Sequence, residues 1–156
     1  MIMADYPFTN FNFSVEIQVA DLKNLPAQLC NASFSECDGL EMTMDVKTIR
    51  EGGNNGKQIR LTGPLNYGVL TLKRGMTSSF DLWDWFSAML KPGNAGIRAN
   101  AHVVVLAADG HTQRVRFLLE RCMPTKLKAP ALNAKDGIIA IEELQLVYES
   151  LTLERP

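Results

Sequence analysis

Histidine is scarce in this 156-residue chain: His102 and His111 are the whole supply. Neither lies in a Gly-x-Ser-x-Gly elbow or beside a Cys-plus-His signature, so nucleophilic catalysis has no visible apparatus. His102 reads as an ordinary strand residue and His111 as a solvated turn residue. The cysteines are few and odd in number. Cys30, Cys37 and Cys122 offer no CxxC or HxH spacing, which leaves no recognisable metal site and makes buried or incidental thiols the expectation. No apolar run reaches the roughly 18 residues of a membrane helix, so no membrane insertion is expected. The opening MIMADYPF lacks the basic and apolar regions of a signal peptide, which points to a chain made and kept in the cytosol. Charge of one sign is missing as well. Sixteen Lys+Arg stand against seventeen Asp+Glu, a formal net charge of −1 with pI near 6.1, so nothing pulls the chain globally towards nucleic acid. Internal repeats and low-complexity tracts are absent.

What is present is the composition of a globular protein, 46% hydrophobic and 21% charged. That is enough to bury a core as one domain over residues 1–156. Strand patterning dominates. Phe11, Phe13, Val15, Ile17 and Val19 alternate with Asn12, Ser14, Glu16 and Gln18, the period of a half-buried strand. Residues 21–32 have no firm period and read as a connection. After the turn signal Asp38-Gly39, Leu40, Met42, Met44 and Val46 alternate with polar residues. Ile59 and Leu61 resume the alternation up to Gly63-Pro64, and Gly68–Lys73 is a further strand.

The strongest helix signal follows. Ser78 with Asp81 resembles a capping box, and Leu82, Trp83, Phe86, Met89 and Leu90 make one apolar stripe, ended by Lys91-Pro92-Gly93. Phe80 and Trp85 lie off that stripe, so Phe80, Trp83 and Trp85 are expected to help form a face towards a neighbouring subunit. Ala101–Ala107 and Arg114–Glu120 form a hairpin around Asp109-Gly110, with Val115, Phe117 and Leu119 inward. Cys122–Asn133 carries two prolines and reads as irregular or as an edge. A last strand starts at Ile138, after Asp136-Gly137, and a change of apolar phase at Glu142-Glu143 suggests a β-bulge there. Many strands, one helix and no βαβ rhythm predict a mainly β, two-sheet antiparallel sandwich or barrel with a single α-helix.

One stretch remains outside this core pattern. Arg50-Glu51-Gly52-Gly53-Asn54-Asn55-Gly56-Lys57 is polar, of mixed charge and glycine-rich. Gly56-Lys57 looks like the end of a phosphate loop, but the following Ser/Thr, the GxxxxGK spacing and the succeeding helix are all missing. No cofactor is expected. Length, charge and backbone freedom suit a loop that orders against a partner.

The order of motifs resembles a known family. Asp38-Gly39-Leu40, Ile49-Arg50-Glu51-Gly52-Gly53-Asn54 and Leu61-Thr62-Gly63-Pro64 come first. Leu70–Gly75, Leu82-Trp83-Asp84-Trp85, Pro124-Thr125-Lys126, Ala129–Ala134, Ile139-Ala140-Ile141-Glu142 and Leu146–Leu151 follow. Together they resemble the tail tube proteins of contractile bacteriophages, and above all the inner-tube proteins of phage-tail-like contractile injection systems. Departures are Leu127 where tryptophan is common, Cys37-Asp38 where valine-serine is usual, and extra length over Asn24–Phe34; tube-initiating and terminal paralogues differ in such places. The resemblance implies a non-enzymatic structural subunit assembled in the cytoplasm. Six copies would form a ring, and rings would stack into a hollow tube inside a contractile sheath, with baseplate proteins and a lumen cargo as further partners. Arg50–Lys57 would be the inter-ring loop. The alternatives are a tube-initiating or terminal adaptor ring, or, from another class, a stand-alone small-molecule-binding β-barrel.

Overall fold

The computed structural model of the protein describes residues 12–19, 28–29, 34–53, 56–135 and 137–155. Among these it has ten strands and one helix. They are β1 Phe13–Val19, β2 Gln28–Leu29, β3 Glu36–Asp38, β4 Met42–Ile49, β5 Ile59–Tyr67, β6 Val69–Gly75, α1 Asp81–Met89, β7 Ala99–Leu106, β8 Gln113–Lys128, β9 Ile141–Val147 and β10 Ser150–Glu154. All pairings are antiparallel, in the order β2-β1-β7-β8-β9-β6-β3, with β10 also on β8.

The 16-residue β8 is shared between two sheets. Its first half pairs with β7 and β10, and its second half with β9. The changeover is a bulge: Ala99 faces Cys122 and Ala101 faces Leu119, so Asn100 stands opposite both Glu120 and Arg121. Arg121 takes φ 55, and its N–H reaches Asn100 Oδ1 at 3.3 Å. Such a bulge bends the strand and raises its twist, which lets the two halves wrap one core. Val15 and Ile17 of β1, Ala101 and Val103 of β7, and Leu119 of β8 meet Leu70 and Leu72 of β6, Leu144 and Leu146 of β9, and Leu82 and Trp85 of α1.

The predicted mainly β architecture with one helix is what the structure has, and β1, β6 and the β7–β8 hairpin fall where the alternation put them. Several local expectations need correction. β8 runs on through Pro124, which pairs with Leu146, while Thr125 is the extra residue before Lys126 pairs with Gln145. Proline is tolerated in a strand beside such a bulge. β5 likewise continues through Gly63-Pro64. The strand expected from Ile138 is β9, which begins at Ile141, leaving Ile138 and Ile139 each 78% exposed. Glu142 shares the buried face with Leu144 and Leu146, and the register with β6 is unbroken, so the expected bulge at Glu142-Glu143 does not exist. The interruption comes instead at Tyr148-Glu149, after which β10 resumes along β8.

Ser78 does not cap the helix. The cap position is Phe80, without a side-chain cap hydrogen bond, and Asp81 accepts the Leu82 N–H at 2.9 Å. The buried helical face is Leu82 and Trp85, with Met89 packed against the core, whereas Leu90 is exposed. The Asp136 turn, Cys30 and most of the 21–32 connection lie outside the described residues.

Burial also sets the behaviour of two thiols. Burial, with Asp38 next to it, pushes the Cys37 thiol up to about 12 from 9.0, and burial pushes Cys122 up to about 12 from the same value. Folded thiols therefore keep protons that the unfolded chain has lost. Their contribution is fully present below pH 9 and is lost as pH rises towards 12. Urea midpoints taken at about pH 8 and about pH 10.5 should show a clear drop. Cys122→Ala should make that drop shallower; a midpoint flat across this range would contradict the account.

Candidate functional site: an uncovered hairpin

β4 and β5 form a two-stranded sheet that pairs with nothing else among the described residues. An isolated two-stranded ribbon is marginal in water, and this one is exposed along the whole of β4. Yet its side chains are those of a core strand: Met42 is 60% exposed, Met44 48%, Val46 56%, Leu61 45% and Leu65 44%.

The register explains how the apolar groups are spread. Met42 faces Tyr67, Met44 faces Leu65 and Val46 faces Thr62, so Asp45 stands opposite both Gly63 and Pro64. Gly63 is needed there, because a Cβ would come within 2.6 Å of the Asp45 carbonyl oxygen. Beyond the bulge Lys47 faces Leu61 and Ile49 faces Ile59. Cross-strand partners share a face. Near the root the apolar face is therefore Met42, Met44, Val46, Leu65 and Tyr67, and near the tip it is Ile49, Ile59 and Leu61 on the other side. The ribbon offers one greasy surface in each direction, and neither of its long edges pairs with another strand among the described residues.

The root is held firmly. Gly39 takes φ +107, and a Cβ on it would lie 1.9 Å from the Val69 carbonyl oxygen. The Tyr148 hydroxyl donates to Gly39 O at 2.7 Å and accepts from Glu41 N–H at 3.2 Å, while Gly68 N–H reaches Glu41 O at 3.2 Å. Tyr67 packs on Tyr148 with ring centroids 5.5 Å apart. Burial raises the Tyr148 pKa, so the hydroxyl stays a donor. The Asp38-Gly39 turn thus aims the hairpin, a role that the turn signal in the sequence did not disclose.

At the tip, Arg50, Glu51, Gly52, Gly53, Gly56 and Lys57 are all exposed, and Gly53 takes φ 91. Asn54 and Asn55 lie outside the described residues. An open, polar cavity of about 570 Å³ runs between Arg50, Glu51, Lys57 and Arg60.

The helix residues divide three ways. Phe80 is 54% exposed and remains available to a partner. Trp83 is half-buried, and its indole N–H donates to Glu142 Oε2 at 2.9 Å. Trp85 is 1% exposed inside the chain's own core, which corrects the expectation that it faces a neighbour. Sequence reasoning also missed what Trp83 joins. Arg74, buried on β6, binds Glu142 Oε1 through Nε at 2.5 Å and Asp81 Oδ1 through Nη2 at 2.6 Å, and its guanidinium lies 5.7 Å from the centre of the Phe34 ring. The inward position of Glu142 in an otherwise leucine phase was the available signal.

The histidines stand apart from this region. His102 is on the outer face of β7, aligned with Glu16, and its pKa is lowered by burial and by Arg116. His111 sits in the β7–β8 turn, where Asp109 Oδ1 accepts its backbone N–H at 2.8 Å and Oδ2 accepts the Thr112 hydroxyl at 2.6 Å.

A filled sandwich that holds out an apolar ribbon with open edges is a building block, completed by other chains. The chain belongs to the T4-like virus tail tube protein gp19 family, which it matches over residues 9–152, and it is a structural tube subunit. No curated protein matches it by sequence. Its fold is similar to a chain in the anti-feeding prophage baseplate, with TM-score 0.83 and 24% identity over 97% of this chain and 98% of that one. It is also similar to a chain of the PVC sheath–tube complex, with TM-score 0.77 and 19% identity over 97% and 94%. Hcp1 from Flavobacterium johnsoniae shares the fold more loosely, with TM-score 0.51 and 12% identity over 92% and 96%.

Proposed function

We propose that the whole chain is a single tail-tube domain whose copies close into six-membered rings, and that the rings stack into the hollow inner tube of a contractile injection system or phage tail. The observation that carries this is the β4–β5 ribbon, apolar on each face and open on both edges. Head-to-tail use of such a surface either closes a ring or runs on as a filament. Six-fold closure is supported by the similar baseplate chain, which comes from a 6-fold symmetrised particle. Sheath and baseplate proteins are the outer and terminal partners, and cargo passes through the lumen. The subunit acts by geometry, as a conduit rather than an enzyme, and assembles in the cytoplasm.

Arg50–Lys57 is the clasp between rings, its glycines free to take the turn that the neighbour demands. Phe80 adds an aromatic contact at a subunit boundary. Deleting Gly52–Gly56 should leave a folded, ring-forming subunit that no longer stacks, as judged by electron microscopy. Tubes of wild-type length after the deletion would refute the role.

A second reading is the tube-initiating or terminal ring. It is favoured by the higher likeness to the baseplate chain, TM-score 0.83 against 0.77 for the sheath–tube chain. Purified protein that stops at one ring supports it; protein that polymerises alone supports the main tube.

A further inference from the structure

Sulfur is divided unevenly between the interior and the surface of this chain. Cys122 is buried and Cys37 half-buried. Burial, helped at Cys37 by Asp38, pushes both thiols up to about 12. Thiolate, the form that an oxidant attacks, is therefore almost absent from them at neutral pH. The thioethers of β4 are in the opposite position. Met42 and Met44 are 60% and 48% exposed, and as alternate residues of one strand they share a face. Met76 is less open, at 37%, and Met89 packs against the core. Strand formation does not ask for sulfur here, because β-branched residues fit a pleated surface better, and the same strand supplies Val46 and Ile49.

Methionine gives that face a flexible, polarizable contact, and with it a place for oxygen transfer. Hydrogen peroxide delivers one oxygen to a sulfur lone pair. The O–O bond breaks, an S–O bond forms, the thioether is oxidised to the sulfoxide and the peroxide is reduced to water. The product is polar where the side chain was apolar. In the free subunit water meets the new oxygen, since β4 is exposed along its whole length, and the fold loses little. Under a covering partner the oxygen has to give up that water, which is costly unless a donor replaces it. We propose that Met42 and Met44 are oxidative modification sites of the free subunit, at which sulfoxide formation blocks assembly. The proposal rests on the tube reading for the partner that covers this face. Oxidation and assembly then exclude each other: a subunit oxidised first stays out of the tube, and one already assembled keeps its thioethers out of reach. A methionine sulfoxide reductase reverses the block, removing the oxygen as water while a dithiol is oxidised to the disulfide.

The test is the order of addition. Purified subunit treated with hydrogen peroxide should gain oxygen at Met42 and Met44, located by peptide mass spectrometry, and keep its circular dichroism. By sedimentation it should need a roughly tenfold or higher concentration to assemble. The same dose given after assembly should leave the particles intact and those two residues unmodified. Met42→Leu with Met44→Leu keeps the surface apolar and should assemble equally well with or without peroxide, which separates these sites from Met76 and from Met1 and Met3. Oxidised wild type that assembles like the untreated protein would overturn the proposal and leave the tube reading intact. So would a leucine pair that still loses assembly on oxidation, or equal oxidation of Met42 and Met44 in free and assembled protein. Because the leucine pair also changes packing, reduction of oxidised wild type by the sulfoxide reductase serves as a second measurement. It should restore assembly, and failure to do so counts against the two sites. An untreated subunit that stays monomeric overturns both the proposal and the tube reading.

Discussion

Glu142→Ala is expected to destabilise the folded subunit by about 3–5 kcal/mol, the range found when one partner of a buried ion pair is removed. The cause lies in what remains. Arg74 is 1% exposed, and its Nε would lose the carboxylate oxygen 2.5 Å away. Trp83 would lose the acceptor of its indole N–H at 2.9 Å. Asp81 still holds Nη2 at 2.6 Å, so the cation keeps part of its compensation and the helix start is not released outright. Glu142→Gln keeps an acceptor for Trp83 but not the charge, and should fall between the alanine variant and wild type. The double change Arg74→Met with Glu142→Leu removes both charges from the interior and should recover most of the loss, since well-packed apolar replacements of buried pairs are often neutral or better. Denaturant titration of the variants separates these outcomes. An alanine variant within about 1 kcal/mol of wild type would mean that the pair resembles an exposed one, such as Lys73–Glu36 at 3.5 Å.

That network was hard to see in the sequence for a physical reason. Arg74 and Glu142 are 68 positions apart, and nothing local distinguishes an inward arginine from an outward one. Alternation announced β1, β6 and the β7–β8 hairpin because their buried faces are apolar, Arg74 at the end of β6 excepted, and close in sequence. It failed where polar groups are buried in pairs, as at Glu142, and where proline interrupts a strand that a bulge then accommodates, as at Pro124 and Pro64. β10 was missed because the strand breaks at Tyr148-Glu149 and none of the residues of Ser150–Glu154 is fully buried, so no core-facing alternation marks it. The helix misled in a different way. Phe80, Trp83 and Trp85 are all aromatic, but their surroundings differ: solvent, a buried carboxylate and the core, respectively. The hairpin itself was legible as strands and illegible as a site. Met42, Met44 and Val46 alternate like a core face, and composition alone does not say whose core they belong to.

Met44→Glu with Leu65→Glu makes that question experimental. The two residues face each other across the ribbon, 48% and 44% exposed, so the isolated subunit has little burial to lose. Like charges directly opposite cost roughly 0.2–1 kcal/mol within the hairpin, too little to unfold the sandwich behind it. Assembly is another matter. A neighbour covering this face would have to strip water from two carboxylates, at several kcal/mol for each, and every contact around a ring would carry the same penalty. The expected result is a subunit with unchanged circular dichroism that sediments as a monomer and forms no rings. The exchange Met44→Leu with Leu65→Met keeps the apolar surface while changing its shape, and should still assemble. If the glutamate variant built normal tubes, this face would be lumen or outer surface, and the open edges of β4 and β5 would have to carry the contact by backbone pairing. If the glutamate variant alone is silent, the alternation in β4 marks a core face after all, one that closes only when another copy of the chain lies against it.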